Sequence, residues 1–346
     1  MYLDSINKEL RKYLMLLCNH DYPEFIEKYI NTKDLQRLAG IGQFCGADYT
    51  SLYNLRFWYS RLDHSVACAL MTWHFTGDKV QTLSALFHDL GTPAFSHCID
   101  FLLGDGANQE SSELNVLDIL ANSDEIRKML DEDSITDINL LDDHNYSIVE
   151  NNKPKICVDR LDGVLQTCYT WLQYWNFQTL EKVYKNITVL VDEEGNQEIG
   201  FLNKEICEIF FDGVFKYSIE LQKNKNKYMM NFFSTLFSTF ITNKKLSIED
   251  FYHMSEGEIL NIIEKDNNHN WNIFTRATDV INTESFPESL YAVSGSTKKR
   301  YVNPLCLYEG QMIRLNEISQ SCQDLLNCYL NYKESDYCYI DGIRFE

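Results

Sequence analysis

The sequence predicts a mainly α-helical protein with one small β-hairpin and a helical, loop-rich C-terminal elaboration. Apolar residues recur at helical spacing along most of the chain, and only one short segment has the pattern of a hairpin. The chain has 346 residues, more than the roughly 250–300 at which a single core stops growing. We therefore expect a helical core over residues 1–180 and an elaboration packed on it over 181–346. Neither an internal repeat nor a low-complexity linker interrupts the sequence.

Three segments of the predicted core have one apolar face each. They span residues 62–76, residues 79–90 and a segment that begins after Pro154. Apolar positions three and four apart lie on one side of a helix, so each segment is expected to bury that side. The apolar positions are Leu62, Val66, Ala69, Leu70 and Trp73, then Val80, Leu83, Leu86, Phe87 and Leu90, then Ile156, Leu161, Val164, Leu165, Cys168, Leu172 and Trp175.

The second half of the chain contains the predicted hairpin. Two apolar runs, 187–191 and 199–202, flank a turn with Gly195 and Asn196, residues that are typical of tight turns. The pattern is helical again over 204–265 with a polar break at 242–245. From residue 266 the sequence is loop-rich and includes a basic run at 297–300.

Composition excludes several classes of protein. The formal net charge of −20 disfavours stable binding to duplex nucleic acid. No segment reaches the ~20 apolar residues that span a bilayer, and residues 1–13 lack the apolar region of a signal peptide. The eleven cysteines form no C-x-x-C pair, which favours reduced thiols and a cytoplasmic protein. A small anionic substrate remains compatible with the charge, because a bound cation reverses the potential locally.

Three short motifs have the residue types of a metal site. They are residues 61–65 with His64, residues 86–91 with His88 and Asp89, and residues 157–162 with Asp159. Neighbouring side chains on a helix point about 100° apart, so His88 and Asp89 can converge only where their helix ends. Gly91 follows and is a stop signal. Imidazole and carboxylate ligands suit a divalent transition metal: Mn, Fe, Ni, Co or Zn, with Mg as an alternative.

These motifs resemble the HD phosphohydrolase superfamily, which has an ordered His, His-Asp, Asp set in a helical bundle. The resemblance is stronger to its deoxynucleotide triphosphohydrolase branch, which includes bacterial dGTPases. Residues 35–43, the Arg-x-x-His-Ser motif at 61–65 and the His-Asp-Leu-Gly stretch at 88–97 match that branch in order, so the similarity extends from residue 35 to about 170.

The resemblance implies roles for individual residues. It makes His64, His88, Asp89 and Asp159 metal ligands, which predicts an HD-domain bundle around one metal centre. Arg61 would hold a phosphate, Gln43 would lie near the sugar and Arg160 would lie close to the phosphates, since a guanidinium donates paired hydrogen bonds to phosphate oxygens.

The sequence departs from this branch at three positions. Thr92 and Gln109 stand where the branch has histidines that act in proton transfer, and Gly163 stands where it has a tyrosine near the sugar. His97 and Glu110 are therefore our candidates for the catalytic acid or base, together with Arg61 as a catalytic charge stabiliser.

Ordinary structural roles compete with these assignments. Asp162, three residues after Asp159, is a rival for the last ligand position. Arg61 and Gln43 could be surface residues, and His97 could only brace its loop. The basic run at 297–300 is either a solvated loop or a phosphate contact.

We therefore expect a metal-dependent phosphohydrolase that acts on a nucleotide or similar small phosphoester through metal-activated water. One alternative is a catalytically weakened, nucleotide-binding or regulatory module of the same fold. A further alternative is a phosphodiesterase for short oligonucleotides or cyclic nucleotides. The resemblance also implies a homo-oligomer, since homo-oligomers occur among the related enzymes.

Overall fold

Helices dominate the computed structural model, which describes residues 1–106, 114–295 and 297–345. About 53% of the chain is helical, so the mainly α prediction is confirmed. The α-helices are α1 Tyr2–Ser5, α2 Lys8–Leu17, α3 Ile26–Ile30, α4 Lys33–Leu38, α5 Arg61–Thr76, α6 Lys79–Phe87, α7 His97–Leu102, α8 Val116–Asn122, α9 Asp124–Glu132, α10 Val158–Gln166, α11 Phe177–Tyr184, α12 Lys204–Gln222, α13 Asn224–Thr242, α14 Asp250–His253, α15 Glu256–Lys265, α16 His269–Phe274, α17 Leu315–Ile318 and α18 Gln320–Leu330. Short 3-10 helices occupy Ala47–Tyr49, Ile138–Leu141 and Asp143–Asn145, and a π-helical turn, Thr167–Trp171, continues α10. None of the helices in the described ranges combines the length and apolarity needed to cross a bilayer.

The seven strands in the described ranges form two small sheets. They are β1 Ile187–Val191, β2 Gln197–Phe201, β3 Ile281–Thr283, β4 Ala292–Ser294, β5 Leu305–Tyr308, β6 Gln311–Arg314 and β7 Tyr337–Tyr339. The predicted hairpin is present as the antiparallel pair β1 and β2. It belongs to a four-stranded sheet, since β2 also pairs in parallel with β5, which in turn pairs with β6. The second sheet has the order β3-β7-β4.

The C-terminal segment is therefore more regular than its sequence predicts. Its strands have only three or four residues each, too few for an alternating pattern to stand out. Their partners are also distant in sequence: Gly200 pairs with Leu305 and Val293 with Cys338. The pairing thus depends on the fold rather than on local sequence.

Helices α5 and α6 are core helices, as predicted, since most of their residues are buried. Their ends position the metal motifs. Ser60 caps α5 through a reciprocal capping box with Asp63, and Asp78 caps α6. Helix α6 ends at Phe87, so the predicted end at residue 90 is three residues too late. His88 is the C-cap residue of α6 and Asp89 lies beyond the helix. The two side chains can therefore turn toward one point.

The C-terminal elaboration packs directly on this core. Helix α13 lies against α7, and the ring of Phe95, just before α7, contacts Phe233 and Phe237 at centroid distances of 5.0 and 4.8 Å. The predicted helical run 204–265 contains a break at Lys223 as well as the polar break after Thr242. The domain boundary at residue 180 stays a prediction.

Candidate metal centre

Four ligand atoms from three helices converge at one point. His64 Nε2 lies 3.1 Å from Asp159 Oδ1, 3.2 Å from His88 Nε2 and 3.8 Å from Asp89 Oδ2. His88 Nε2 lies 3.9 Å from both carboxylate oxygens. Around an ion with bonds of about 2.1 Å, adjacent ligand atoms stand roughly 3.0–3.4 Å apart and opposite ones about 4.2 Å apart. The separations of 3.1 and 3.2 Å match adjacent positions, and those of 3.8 and 3.9 Å lie between the two limits. All four atoms therefore fit around a single divalent ion.

Hydrogen bonds fix both histidines with their Nε2 lone pairs turned toward this point. The Nδ1 atom of His64 lies 2.6 Å from Asp162 Oδ2, and that of His88 lies 2.8 Å from the Ala85 carbonyl oxygen. Both acceptors require a proton on Nδ1. Burial would lower the pKa of His64, but its contacts with Cys68, Asp159 and Asp162 raise it well above its ordinary value. The two Nε2 atoms, 3.2 Å apart, therefore need a cation between them, either a proton or the metal ion that would replace it. The donor set therefore fits a metal.

Asp162 is held in a buried network of its own. It accepts hydrogen bonds from the hydroxyls of Tyr59, at 2.8 Å, and Tyr13, and the structure buries it completely. A carboxylate that orients a ligating histidine through Nδ1 is a common supporting group in metal sites. The sequence left Asp159 and Asp162 as competing candidates for the last ligand position. In the structure Asp159 faces His64 Nε2, on the side of the other ligand atoms, and Asp162 faces His64 Nδ1.

Charge around the centre favours ionised carboxylates. Burial alone would raise the pKa of Asp89, but Arg61, His88 and His64 hold it well below its usual range. Burial likewise opposes the low pKa of Asp159, which His64, His88 and Arg160 enforce. The side chain of Asp159 is 41% exposed while the other three are at most 10% exposed, so the centre is open to solvent on the Asp159 side.

A cysteine offers a competing ligand atom. Cys68, His64 and His88 present three atoms within 4.8 Å of one another. The Cys68 sulfur is almost equidistant from the two ring nitrogens of His64, at 3.8 and 3.9 Å, so it does not lie along either lone pair. Burial raises the pKa of this thiol to about 12, whereas metal ligation requires a thiolate. We therefore favour Asp89 and Asp159 over Cys68.

Arg61 is buried beside the centre and not on the surface. It pairs with Asp89 at 2.9 Å and donates from Nε to the Ser96 hydroxyl at 3.1 Å. Thr92, where the triphosphohydrolases that the sequence resembles have a histidine, donates to the other Asp89 oxygen at 3.0 Å. Arg37 holds the loop in place by donating to the carbonyls of Leu90 and Thr92.

His97 is part of a chain of three polar side chains. Its Nδ1 lies 2.9 Å from Asp100 Oδ2, and its Nε2 lies 3.2 Å from Arg300. Burial lowers the pKa of His97 to about 4; the hydrogen bond with Asp100 opposes this shift, and the charges of Arg300 and Arg61 add to it. His97 is thus a neutral imidazole near pH 7, and one residue of the basic run contacts it.

The remaining predicted residues do not join the ligand atoms. The guanidinium of Arg160 bonds to Glu150, Asn151 and the Lys155 carbonyl, so it braces the loop before α10, and its phosphate role stays a prediction. Gln43 donates its backbone N–H to Tyr59, and its buried side-chain oxygen lacks a partner among the described residues. Glu110, like Gln109, lies outside the described residues.

The sequence analysis missed the supporting residues. Asp162 was considered only as a ligand, although its spacing of three from Asp159 places both carboxylates on one face of α10. No sequence signal identified Tyr13, Tyr59 or the contact between Arg300 and His97. Each of these residues is at least 103 positions from the group it binds.

Comparisons with known proteins give a distant relationship. No protein-family model matches the chain. The chain is 25% identical over 256 residues to the uncharacterized protein YdhJ of Bacillus subtilis, covering 72% of this chain and 74% of that protein. It is 27% identical over 146 residues to the metal-dependent phosphohydrolase cns2 of Cordyceps militaris, covering 40% of this chain but only 38% of that protein.

Two solved structures have a similar fold. A phosphohydrolase from Bacteroides thetaiotaomicron matches with a TM-score of 0.56 and 14% identity, covering 91% of this chain and 95% of that one. A hypothetical protein from Aquifex aeolicus matches with a TM-score of 0.55 and 15% identity, covering 92% and 93% of the two chains. At these identities the likeness establishes a shared fold over nearly the whole chain.

Proposed function

We propose that this chain is a metal-dependent phosphohydrolase of the HD type, acting on a nucleotide or a similar small phosphoester. The convergence of His64, His88, Asp89 and Asp159 carries the proposal, because two fixed imidazole lone pairs and two ionised carboxylates suit a divalent transition metal. The names of the relative from Cordyceps militaris and the structural neighbour from Bacteroides thetaiotaomicron support the same class of reaction.

A metal bound by these four residues would acidify a water molecule into a nucleophile and offset charge on a phosphoryl group. The chain's own residues supply the rest. Asp162 and the Ala85 carbonyl keep the ligand nitrogens of the two histidines available. The exposed side of Asp159 leaves a route by which substrate reaches the centre.

Arg61 is the proposed phosphate ligand of this enzyme. Its guanidinium already lies 2.9 Å from the metal-side oxygen of Asp89, so a phosphoryl group bound at the metal would be within its reach. Buried guanidinium groups stabilise negative charge that develops in a transition state, since little water competes for them. Arg300 adds a second positive charge beside His97.

His97 is the proposed proton-transfer residue. Its neutral ring donates to Asp100 through Nδ1 and accepts from Arg300 at Nε2, so a base role for His97 requires that Arg300 release this nitrogen to the substrate. Asp100 orients the ring as the carboxylate does in other acid–base pairs. Glu110 stays the second candidate.

The contact between Thr92 and Asp89 favours one alternative function. In that alternative the chain is a binding or regulatory module without efficient catalysis. The Thr92 hydroxyl donates to Asp89, so this position supports a ligand and offers no imidazole for proton transfer. Loss of general acid help is typically worth ~10²–10⁴ in rate. We therefore expect slow turnover that is fastest on substrates with good leaving groups.

The test combines metal analysis with phosphate release. The purified protein, loaded with Mn²⁺, is screened on deoxynucleoside triphosphates, nucleoside monophosphates, cyclic nucleotides and p-nitrophenyl phosphate, and the products are separated by chromatography. Deoxynucleoside plus tripolyphosphate would indicate a triphosphohydrolase, and orthophosphate from monophosphates a phosphomonoesterase. A fully metallated protein with no turnover on any of these would favour the binding module.

The variant Arg61→Ala distinguishes substrate binding from metal binding. We expect kcat/KM to fall by roughly 1.5–3 kcal/mol, the value of a charged hydrogen bond, with metal content unchanged. Arg127→Ala, on the exposed side of α9, is the matched control and should behave as wild type. Unchanged kinetics in Arg61→Ala would remove Arg61 from the substrate site.

A further inference from the structure

Two carboxyl groups, each with a buried oxygen, lie near Gly42 and the turn that precedes His97. Glu256, the first residue of α15, is completely buried, and Asp48 lies in the short 3-10 helix Ala47–Tyr49. One Glu256 oxygen, Oε1, accepts the backbone N–H of Phe95 at 2.8 Å. Glu256 thereby joins the C-terminal elaboration to the loop that follows the metal motif.

The other oxygens of the pair face the same point on Gly42. A β-carbon built on Gly42 would lie 2.9 Å from Asp48 Oδ2 and 3.2 Å from Glu256 Oε2. Both oxygens are buried and make no hydrogen bond of standard geometry with the described residues, while the Gly42 N–H and the Tyr49 hydroxyl lie close enough to Glu256 to lower its pKa. Two ionised carboxylates in this arrangement would repel each other in a region that solvates neither. A single proton held between them gives one oxygen a donor and the other an acceptor.

We propose that Asp48 and Glu256 share one proton near neutral pH, and that this pair positions the Phe95–Ser96 turn. The turn needs such support. Phe95 and Ser96 have φ angles of 63° and 46°, values that L-residues rarely adopt and that cost on the order of 1–3 kcal/mol each.

The turn connects the carboxyl pair to the proposed active site. The hydroxyl of Ser96 accepts the hydrogen bond from Arg61 Nε, and His97 follows directly in the chain. Glu256 and Asp48 are thus positioning residues that act through Ser96 on Arg61. The effect on Arg61 rests on the proposed function, whereas the proton shared by Asp48 and Glu256 does not.

Burial raises the pKa of Glu256 to about 8, with Asp48 as the next contributor, and raises that of Asp48 to about 7. The other groups that face Glu256 are the Tyr49 hydroxyl and the backbone N–H groups of Gly42 and Phe95, which lower its pKa. The charge of Glu256 also raises the pKa of the Cys45 and Cys98 thiols.

The raised pKa values of Asp48 and Glu256 make the stability of the folded protein depend on pH. A carboxyl group whose pKa is raised by folding binds its proton more tightly in the folded state. Its contribution to stability is full below the unfolded pKa near 4 and is lost as the pH rises toward 7–8. The carboxyl pair therefore makes the protein progressively less stable between about pH 5 and pH 8.

Thermal unfolding across that pH range tests the shared proton. Asp48→Asn replaces the proton with an amide donor, so its midpoint should fall less steeply with rising pH than that of wild type. Glu256→Gln should flatten the profile in the same way. The control Glu264→Gln, on the exposed side of the same helix, should parallel wild type. Parallel profiles for wild type and both amide variants would overturn the proposal.

Kinetics and metal content test the positioning role. Glu256→Ala should lower kcat/KM on p-nitrophenyl phosphate by roughly 10- to 100-fold through misplacement of Arg61, and Glu256→Gln, which keeps the acceptor for Phe95, should restore it. Metal content should stay at the wild-type value in both. Equal activity in the alanine variant would reject the positioning role. Absence of turnover in the wild type would reject the proposed function. The unfolding profiles would still test whether Asp48 and Glu256 share a proton.

Discussion

Replacing Asp162 by asparagine should weaken metal binding although Asp162 is not a proposed ligand. The carboxylate accepts three hydrogen bonds, from His64 Nδ1 and from the hydroxyls of Tyr59 and Tyr13. Asparagine keeps one acceptor oxygen, and its NH₂ group cannot accept. If the amide nitrogen faces His64, it favours the tautomer with the proton on Nε2, where the metal must bind.

The magnitude follows from what the substitution removes. Loss of a carboxylate that orients a ligating histidine typically reduces metal affinity by about 10–100-fold, which is about 1.4–2.7 kcal/mol. A buried donor left without an acceptor adds about 1–3 kcal/mol of destabilisation to the metal-free protein. We therefore expect a lower unfolding midpoint without metal and a smaller increase when metal is added.

The assay is competitive titration of Mn²⁺ against a fluorescent chelator, followed by thermal unfolding with and without the ion. Asp131→Asn, an exposed position on α9, controls for the loss of one negative charge from a protein of net charge −20. Equal affinity for Mn²⁺ in folded Asp162→Asn and wild type would refute the role assigned to Asp162.

Three further variants probe the centre and the packing around it. The double variant His88→Ala, Asp89→Ala should lower metal content from about one ion per chain to none and lower the unfolding midpoint; an ion that remains after dialysis would contradict the ligand set. Arg314→Met leaves the fully buried Glu198 without two hydrogen bonds of 2.7 Å, so the free energy of unfolding should fall by about 3–5 kcal/mol with Mn²⁺ affinity unchanged. A smaller loss in denaturant titration would indicate that Glu198 finds another partner. Thr92→His combined with Gln109→His should raise phosphate release by up to ~10²-fold if both positions match the acid–base histidines of the triphosphohydrolases that the sequence resembles, and an unchanged rate would exclude that role.

The sequence alone identified the helical class, the hairpin and four residues whose ligand atoms meet. These features depend on local patterns: apolar spacing defines α5 and α6, and a turn with Gly195 defines the hairpin. The position of His88 and Asp89 at a helix end followed from Gly91, since backbone signals within a few residues decide where a helix stops.

Tertiary structure decided the features that depend on residues far apart in the chain. The strands β5 and β7 have partners that no local pattern specifies. Asp162 became a support for His64 because α10 packs on α5, and Asp48 and Glu256 became a pair because α15 docks beside Gly42. Periodicity reports which side of an element is buried, but only packing determines which buried groups face each other. The environment that shifts the pKa of a carboxyl group is therefore set by the fold and not by its neighbours in sequence.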